Sequence, residues 1–239
     1  MGNPDFMKAI AGGVSDALSD VKKLPMMLTA LRNGGAESLL RALVNHKLEE
    51  ATGCVAFTEA AKRRADLALI RPEDNAAVAF VEFKHNFVSQ RLDIAYEMKK
   101  AKLQLISQRL GNETEGAAAV GSSAVEGSMP TRQEAVYVYV HFLVSLDHGS
   151  AGSPSGLAAI HNRNVTGYKR FFDAQSAAEQ RAEAINIARA ELPHWEPSDD
   201  EMRKFFVSHE IGPAGARCTL ICWAFALEDD SFIPLQLMA

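Results

Sequence analysis

The chain has 239 residues, of which 47% are hydrophobic and 23% are charged, and these values exclude disorder along its whole length. A length of this size predicts one or two domains. The formal charge of −5 excludes a generally cationic nucleic-acid binder, although a nucleic-acid enzyme needs only a local basic surface. Three cysteines are too few for a disulfide framework, no apolar run reaches the ~20 residues of a membrane helix, and the first residues do not form a signal peptide. We therefore expect a cytoplasmic protein with no membrane partner.

The N-terminal part of the chain has helical character. Residues 1–35 contain two apolar-rich stretches that are interrupted at Gly12–Gly13 and Pro25, and we interpret them as an accessory helical segment. A further helix is predicted over Glu37–Glu50, because its leucine and valine residues recur at a spacing of three to four. Gly53 is expected to end this helix.

Three strand-like segments follow in quick succession. Cys54–Glu59 is short and rich in residues that favour strands, and Arg64–Arg71 alternates between polar and apolar residues. Pro72–Asn75 provides a turn, and Ala77–Lys84 forms the third predicted strand. The two longer segments are therefore expected to form a hairpin.

The segment Val88–Leu110 has no glycine or proline and predicts a long amphipathic helix. At 100° per residue one apolar stripe on this helix, expected to face the core, contains Leu92, Tyr96, Leu103, Ile106 and Leu110. The following segment, Gly111–Arg132, is small, polar and rich in glycine and serine, and it predicts a mobile loop.

The rest of the chain adds two buried strands and a helix. Ala135–Leu146 is apolar at nearly every position, which is typical of a central strand covered on both faces. Ala174–Leu192 predicts a helix, and Cys218–Leu227 predicts a further buried strand. The predicted order α-β-β-β-α-β is that of a mixed α/β protein built around one sheet.

Two carboxylates and one ammonium group are expected to converge on the hairpin. Glu82 and Lys84 are two residues apart on the third strand, so both side chains lie on one face while Phe83 points to the other. Counting back from the turn places Asp66 of the preceding strand beside Glu82. The alternative is an ordinary charged cluster on an exposed sheet face.

The pattern Asp66 … Glu82-Phe83-Lys84, within this order of elements, resembles the PD-(D/E)XK nuclease superfamily. The resemblance covers residues 36–146, and Ala65 replaces the proline of the motif. It implies a restriction-endonuclease-like αβββαβ core with a central mixed sheet flanked by helices. The nuclease-like domain would then comprise residues 36–239, with 150–239 as a C-terminal elaboration.

The resemblance implies a Mg²⁺-dependent nuclease that hydrolyses DNA phosphodiester bonds, with Mn²⁺ able to substitute. Asp66, Glu82 and the backbone carbonyl of Phe83 provide the oxygen ligands that Mg²⁺ prefers. In such nucleases a glutamate on the first core helix often completes the site, and Glu37 matches that place. Glu49 and Glu50 are the competing candidates near the other end of the helix, and Glu37 is equally interpretable as an acid that stabilises a helix N-terminus.

Lys84 is expected to orient or deprotonate the attacking water and to neutralise developing charge. The alternative function is that of a catalytically inactive protein with the nuclease fold, which binds nucleic acid or a protein partner. The acidic balance of the chain keeps this alternative open.

Three further residues are weaker candidates for contacts with the substrate. Lys99 and Gln104 lie on the long predicted helix, and Arg64 lies in the basic run that leads into the Asp66 strand. Solvated surface positions are the alternative for all three, and a lysine within an apolar stripe commonly extends its charge to solvent. Because one site of this type cuts one strand, cleavage of both DNA strands also predicts a homodimer.

Overall fold

The computed structural model describes residues 4–24, 26–27, 30–31, 36–60, 65–87, 91–120, 135–146, 177–192, 195–211 and 218–237. The helices are α1 (Pro4–Val21), α2 (Ala36–Thr52), α3 (Arg91–Val120), α4 (Ala177–Ala190) and α5 (Asp199–Phe205). The strands are β1 (Val55–Ala60), β2 (Ala65–Ile70), β3 (Ala77–Phe87), β4 (Val136–Leu146), β5 (Val207–Ile211), β6 (Cys218–Glu228) and β7 (Ser231–Pro234).

The strands of the described residues form one mixed sheet of seven strands, in the order β1-β2-β3-β4-β6-β5, with β7 paired to β6. Strands β1, β2 and β3 form an antiparallel meander, whereas β3 and β4 are parallel. All remaining pairs are antiparallel. The general prediction of an α/β protein with a mixed sheet and helices is therefore confirmed. None of the described helices is long and apolar enough to span a membrane.

Parallel pairing of β3 and β4 requires a crossover connection, and α3 lies in it. Among the residues of α3 whose burial is described, 93–111, the buried ones are Ile94, Met98, Ala101 and Leu105 together with the polar Gln108.

The apolar stripe predicted to face the core is therefore the wrong face of the helix. Tyr96, Leu103 and Leu110 are 64%, 68% and 52% exposed. Hydrophobicity alone does not identify the core face, because the buried face carries three large apolar residues and the exposed face carries an apolar stripe of its own.

The helix breaks predicted from glycine residues are wrong at two places. Helix α3 continues to Val120, so the expected loop over Gly111–Arg132 is wrong for its first ten residues, which are helical. The rest of that prediction, residues 121–132, lies outside the described residues. Helix α1 runs without interruption through Gly12–Gly13, where an interruption was expected. Once helix packing stabilises a segment, a glycine lowers its stability by only about 1 kcal/mol and does not end the helix.

Other elements extend beyond their predicted bounds. Strand β3 continues to Phe87, three residues past the predicted end at Lys84. Strand β4 lies between β3 and β6, in agreement with its nearly continuous apolar composition. Strands β5 and β7 and helix α5 were not predicted, because they are short and their pairing with β6 is a tertiary interaction.

Helix α1 packs directly against α2 and shares its hydrophobic core. Ile10, Val14 and Leu18 of α1 are fully buried together with Leu40 and Leu48 of α2. Gly13 allows the close approach, since a Cβ atom there would lie 3.0 Å from Leu48 Cδ2 and 3.1 Å from the carbonyl oxygen of Lys47. Gly12, one residue earlier, has nothing within 4 Å of the same position.

These two neighbouring glycines provide a matched test of the packing. Gly13→Ala is expected to lower the free energy of unfolding by about 1–3 kcal/mol, because the new methyl group pushes against the backbone of α2. Gly12→Ala is expected to raise it by about 0.5–1 kcal/mol, because alanine restricts the unfolded chain and meets no atom. Urea denaturation of both variants measures the difference. Equal effects of the two substitutions would contradict the close helix contact.

Candidate functional site

The candidate site lies where β2 and β3 pair. The register joins Leu67 to Val81 and Ala68 to Phe80, and its next step places Asp66 opposite Glu82. The Asp66 carboxylate turns towards β3, and its Oδ2 atom accepts a hydrogen bond of 2.9 Å from the backbone N–H of Phe83. The structure thus brings both carboxylates to one face of the hairpin.

Glu82 lies in the interior of the protein. Its side chain is only 2% exposed, and it stands in the middle of β3, because this strand continues beyond the predicted end at Lys84. Lys84 Nζ donates a hydrogen bond of 2.6 Å to Glu82 Oε1. Among the described residues none donates a hydrogen bond to the buried Oε2 atom. Burial raises the pKa of the Glu82 carboxyl, an effect that Lys84 opposes.

Arg41 connects α2 to the same site and was not predicted from the sequence. Its Nη2 atom donates to Glu37 Oε1 at 3.0 Å, and its Nη1 atom donates to Asp66 Oδ1 at 3.4 Å. A spacing of four residues between Glu37 and Arg41 is the signal that could have suggested the helical pair. The contact with Asp66 depends on tertiary structure and has no such signal.

The structure separates the three glutamates of α2. Glu37 reaches Asp66 through Arg41, whereas Glu49 Oε1 accepts a hydrogen bond of 2.8 Å from the backbone N–H of Ala56 at the start of β1. Glu50 forms ion pairs with Lys47 and His46 on the same helix. Of these acids, Glu37 is therefore the one that the structure links to the hairpin.

Strand β4 lies beside Glu82 and Lys84. Their register partners are Tyr139 and His141, whose side chains are joined by a hydrogen bond of 2.7 Å between the Tyr139 hydroxyl and His141 Nδ1. Burial lowers the pKa of His141 to about 3 and raises that of Tyr139, so both side chains are neutral at pH 7. Phe232 stacks on the ring of Tyr139. Neither Tyr139 nor His141 was predicted from the sequence to belong to the site.

Of the three residues predicted to contact the substrate, the structure describes Lys99 and Gln104. Lys99 is exposed and pairs with Glu191 of α4 at 3.3 Å. Its neighbour Lys100 is the α3 lysine that acts electrostatically on Glu82 and lowers the pKa of that carboxyl. Gln104 is partly buried, and none of the described residues hydrogen-bonds its Oε1 atom. Arg64 lies outside the described residues.

Within the described ranges, no three His, Cys, Asp or Glu side chains are grouped as ligands for a metal ion. Nevertheless, the chemistry of the site fits a hard cation such as Mg²⁺, because none of the described residues donates to the buried Oε2 atom of Glu82, and a second carboxylate, Asp66, acts on Glu82 electrostatically. In a strand the N–H and C=O of one residue point to the same side, so the Phe83 carbonyl faces the edge that Asp66 occupies. Asp66, Glu82 and this carbonyl are the groups that would hold the cation.

The raised pKa of Glu82 predicts how stability depends on pH. The folded protein binds the carboxyl proton more tightly than the unfolded chain does, so stability falls as pH rises from 4.5 to the raised pKa. Glu82→Gln removes this term while keeping the side-chain shape. Relative to wild type, we expect the variant to gain stability as pH rises through that window, as measured by urea denaturation at several pH values without added metal.

Glu50→Gln is a control of opposite sign. Lys47 lowers the pKa of the Glu50 carboxyl, so its charged form favours folding, and the variant should lose stability relative to wild type as pH rises from the lowered pKa to 4.5. Parallel pH dependences for the two variants would show that Glu82 is not buried as described.

Comparisons of the chain with protein families, with curated proteins and with solved structures gave no match at the level of sequence or fold.

Proposed function

We propose that the protein is a Mg²⁺-dependent nuclease that hydrolyses DNA phosphodiester bonds. The observation that carries this proposal is the arrangement of Asp66, Glu82 and Lys84, in which two carboxylates face each other across β2 and β3 beside one ammonium group. A buried carboxylate oxygen without a hydrogen-bond donor is unfavourable, and a functional ligand gives a reason for its presence.

The order of elements supports the same proposal. Helix α2, the meander of β1, β2 and β3, the crossover helix α3 and strand β4 follow one another in the order αβββαβ. This is the order that the resemblance to PD-(D/E)XK nucleases implies for a restriction-endonuclease-like core. Glu37, on the first helix of that order, lies within reach of the hairpin through Arg41.

Each residue then has a defined task. Asp66 and Glu82, with the Phe83 carbonyl, hold the cation, which when bound polarises the phosphoryl group for attack. Lys84 lies beside Glu82 on the same face of β3 and retains some solvent exposure, so its ammonium group can orient a water molecule and offset developing negative charge. The neutral pair of Tyr139 and His141 is fully buried on the β4 side of the site.

A DNA substrate is consistent with the local charges even though the chain is acidic overall. Arg41, Lys84 and Lys100 provide positive charge around the carboxylates, and Arg41 and Lys84 both keep part of their side chains in solvent. Local basic groups of this kind are what phosphate binding requires.

Lys84→Met separates cation binding from catalysis. Both carboxylates remain, so we expect the affinity for Mn²⁺ to be unchanged or higher, while DNA cleavage falls by roughly 10²-fold because a positioned proton-transfer or charge-stabilising group is lost. Calorimetric Mn²⁺ titration and a cleavage assay on single-stranded, double-stranded and branched DNA measure the two effects. Lys23→Met removes an exposed lysine that pairs with Asp20, and this control should change neither quantity.

The same assay tests the proposed function itself. Metal-dependent cleavage that EDTA abolishes would support it, and cleavage by Lys84→Met at the wild-type rate would contradict the role of Lys84. DNA binding without cleavage under any divalent cation would favour the alternative of a catalytically inactive binding protein.

We also propose a homodimer, because one such site cuts one strand. The exposed stripe of Tyr96, Leu103 and Leu110 on α3 repeats every seven residues and offers an apolar surface for a second copy. Lys99 lies near this stripe, and its charge is paired with Glu191. Sedimentation should give twice the chain mass of 26.0 kDa, and Leu103→Glu should give a monomer. Sedimentation of the wild-type protein as a monomer at micromolar concentration would exclude this dimer.

A further inference from the structure

We propose that Arg41 substitutes for the divalent cation when the site is free of metal, and that metal binding displaces it from Asp66. This inference rests on the proposed function, because it concerns the same carboxylates. It makes Arg41 a positioning residue that sets how readily the site accepts a cation.

First, the guanidinium group of Arg41 contacts two carboxylates. Arg41 places Nη2 3.0 Å from Glu37 Oε1 and Nη1 3.4 Å from Asp66 Oδ1. Because Asp66 Oδ2 is already bound to the backbone N–H of Phe83, both oxygens of this carboxylate are engaged. A cation that takes Asp66 as a ligand must therefore compete with Arg41.

Second, the carboxylates of the site outnumber its cationic side chains. Three carboxylates, on Glu37, Asp66 and Glu82, face two cationic side chains, on Arg41 and Lys84, when all are ionised. The metal-free cluster therefore carries a net charge of −1, which attracts a divalent cation in a partly buried site. Movement of the guanidinium group away from Asp66 reduces its repulsion of that cation.

Third, Arg41 contacts residues on two different elements, α2 and β2. An ordinary helical ion pair would join Arg41 to Glu37 alone, but here one arm of the guanidinium reaches a neighbouring strand. Its Nε atom is buried, and none of the described residues accepts a hydrogen bond from it. The contacts described for the guanidinium are thus with the two carboxylates, and the contact with Asp66 is the longer one.

Glu37 remains an ion-pair partner for Arg41 after Arg41 leaves Asp66. The Glu37 side chain is partly exposed and lies four residues before Arg41 on the same helix face. Arg41 can therefore release Asp66 and keep its ion pair with Glu37 at the surface.

The test compares Mn²⁺ binding by wild type, Arg41→Gln and Arg41→Lys in the full chain, measured by calorimetry. We expect Arg41→Gln to bind Mn²⁺ roughly ten-fold more tightly, since the competing charge-assisted hydrogen bond is gone. Arg41→Lys should be intermediate, because one ammonium group cannot span two carboxylates in the manner of a guanidinium. Arg71→Gln is the matched control: it removes the same charge near the opposite end of β2, where Arg71 pairs with Asp74.

Thermal denaturation provides a second measurement that does not depend on catalysis. In EDTA, Arg41→Gln should melt below wild type, because Glu37 and Asp66 are left without their common partner, and saturating Mn²⁺ should raise its melting temperature more than that of wild type.

The outcomes distinguish the two proposals. Equal or weaker Mn²⁺ binding by Arg41→Gln, with clear binding by wild type, would overturn the role of Arg41 and leave the proposed function standing. Absence of Mn²⁺ binding in wild type and in folded Arg41→Gln would overturn the metal site and this inference with it.

Discussion

The parallel pairing of β3 and β4 is the constraint on which the rest of the structure depends. Two parallel neighbours cannot be joined by a hairpin, so the chain must cross the sheet between them, and α3 lies in that crossover. Glu97 and Lys100 of this helix act electrostatically on Tyr139 and Glu82. The crossover therefore covers the sheet face that carries the candidate site and converts a charged strand position into a buried one.

Burial then determines the chemistry of β3. A carboxylate removed from water is costly unless a cation or a hydrogen-bond donor compensates it, and Lys84 compensates one oxygen of Glu82. Strand β4 contributes Tyr139 and His141 beside it, and burial keeps the histidine neutral, so no second cation comes from that side. The site is thus a small ionic cluster within an otherwise apolar core.

The N-terminal helices contribute to this cluster through their packing. Helix α1 lies close against α2 because Gly13 leaves room for Leu48. Helix α2 in turn contacts β1 and β3 and presents Arg41 to Asp66. The segment 1–35, which the sequence suggests is accessory, therefore shares one hydrophobic core with the helix that carries Glu37 and Arg41.

Local pattern alone was sufficient for the features that depend on near neighbours in the chain. Alternation within Ala77–Lys84 and the turn before it predict that Glu82 and Lys84 share a face and that Asp66 lies across from them, because strand geometry has a period of two. The apolar composition of β4 likewise predicts a strand covered on both faces. No pattern in the sequence pairs Arg41 with Asp66, which are 25 residues apart, or places Tyr139 beside Glu82.

Tertiary structure alone decided which face of α3 is buried. The exposed stripe contains Tyr96, Leu103 and Leu110, and the buried stripe also contains large apolar residues, namely Ile94, Met98 and Leu105. The rotation of the helix is set by the path of the crossover between β3 and β4 and by the shape of the sheet surface, neither of which is encoded locally. The depth of Glu82 follows from the same cause, since a residue's burial depends on what the rest of the chain places over it.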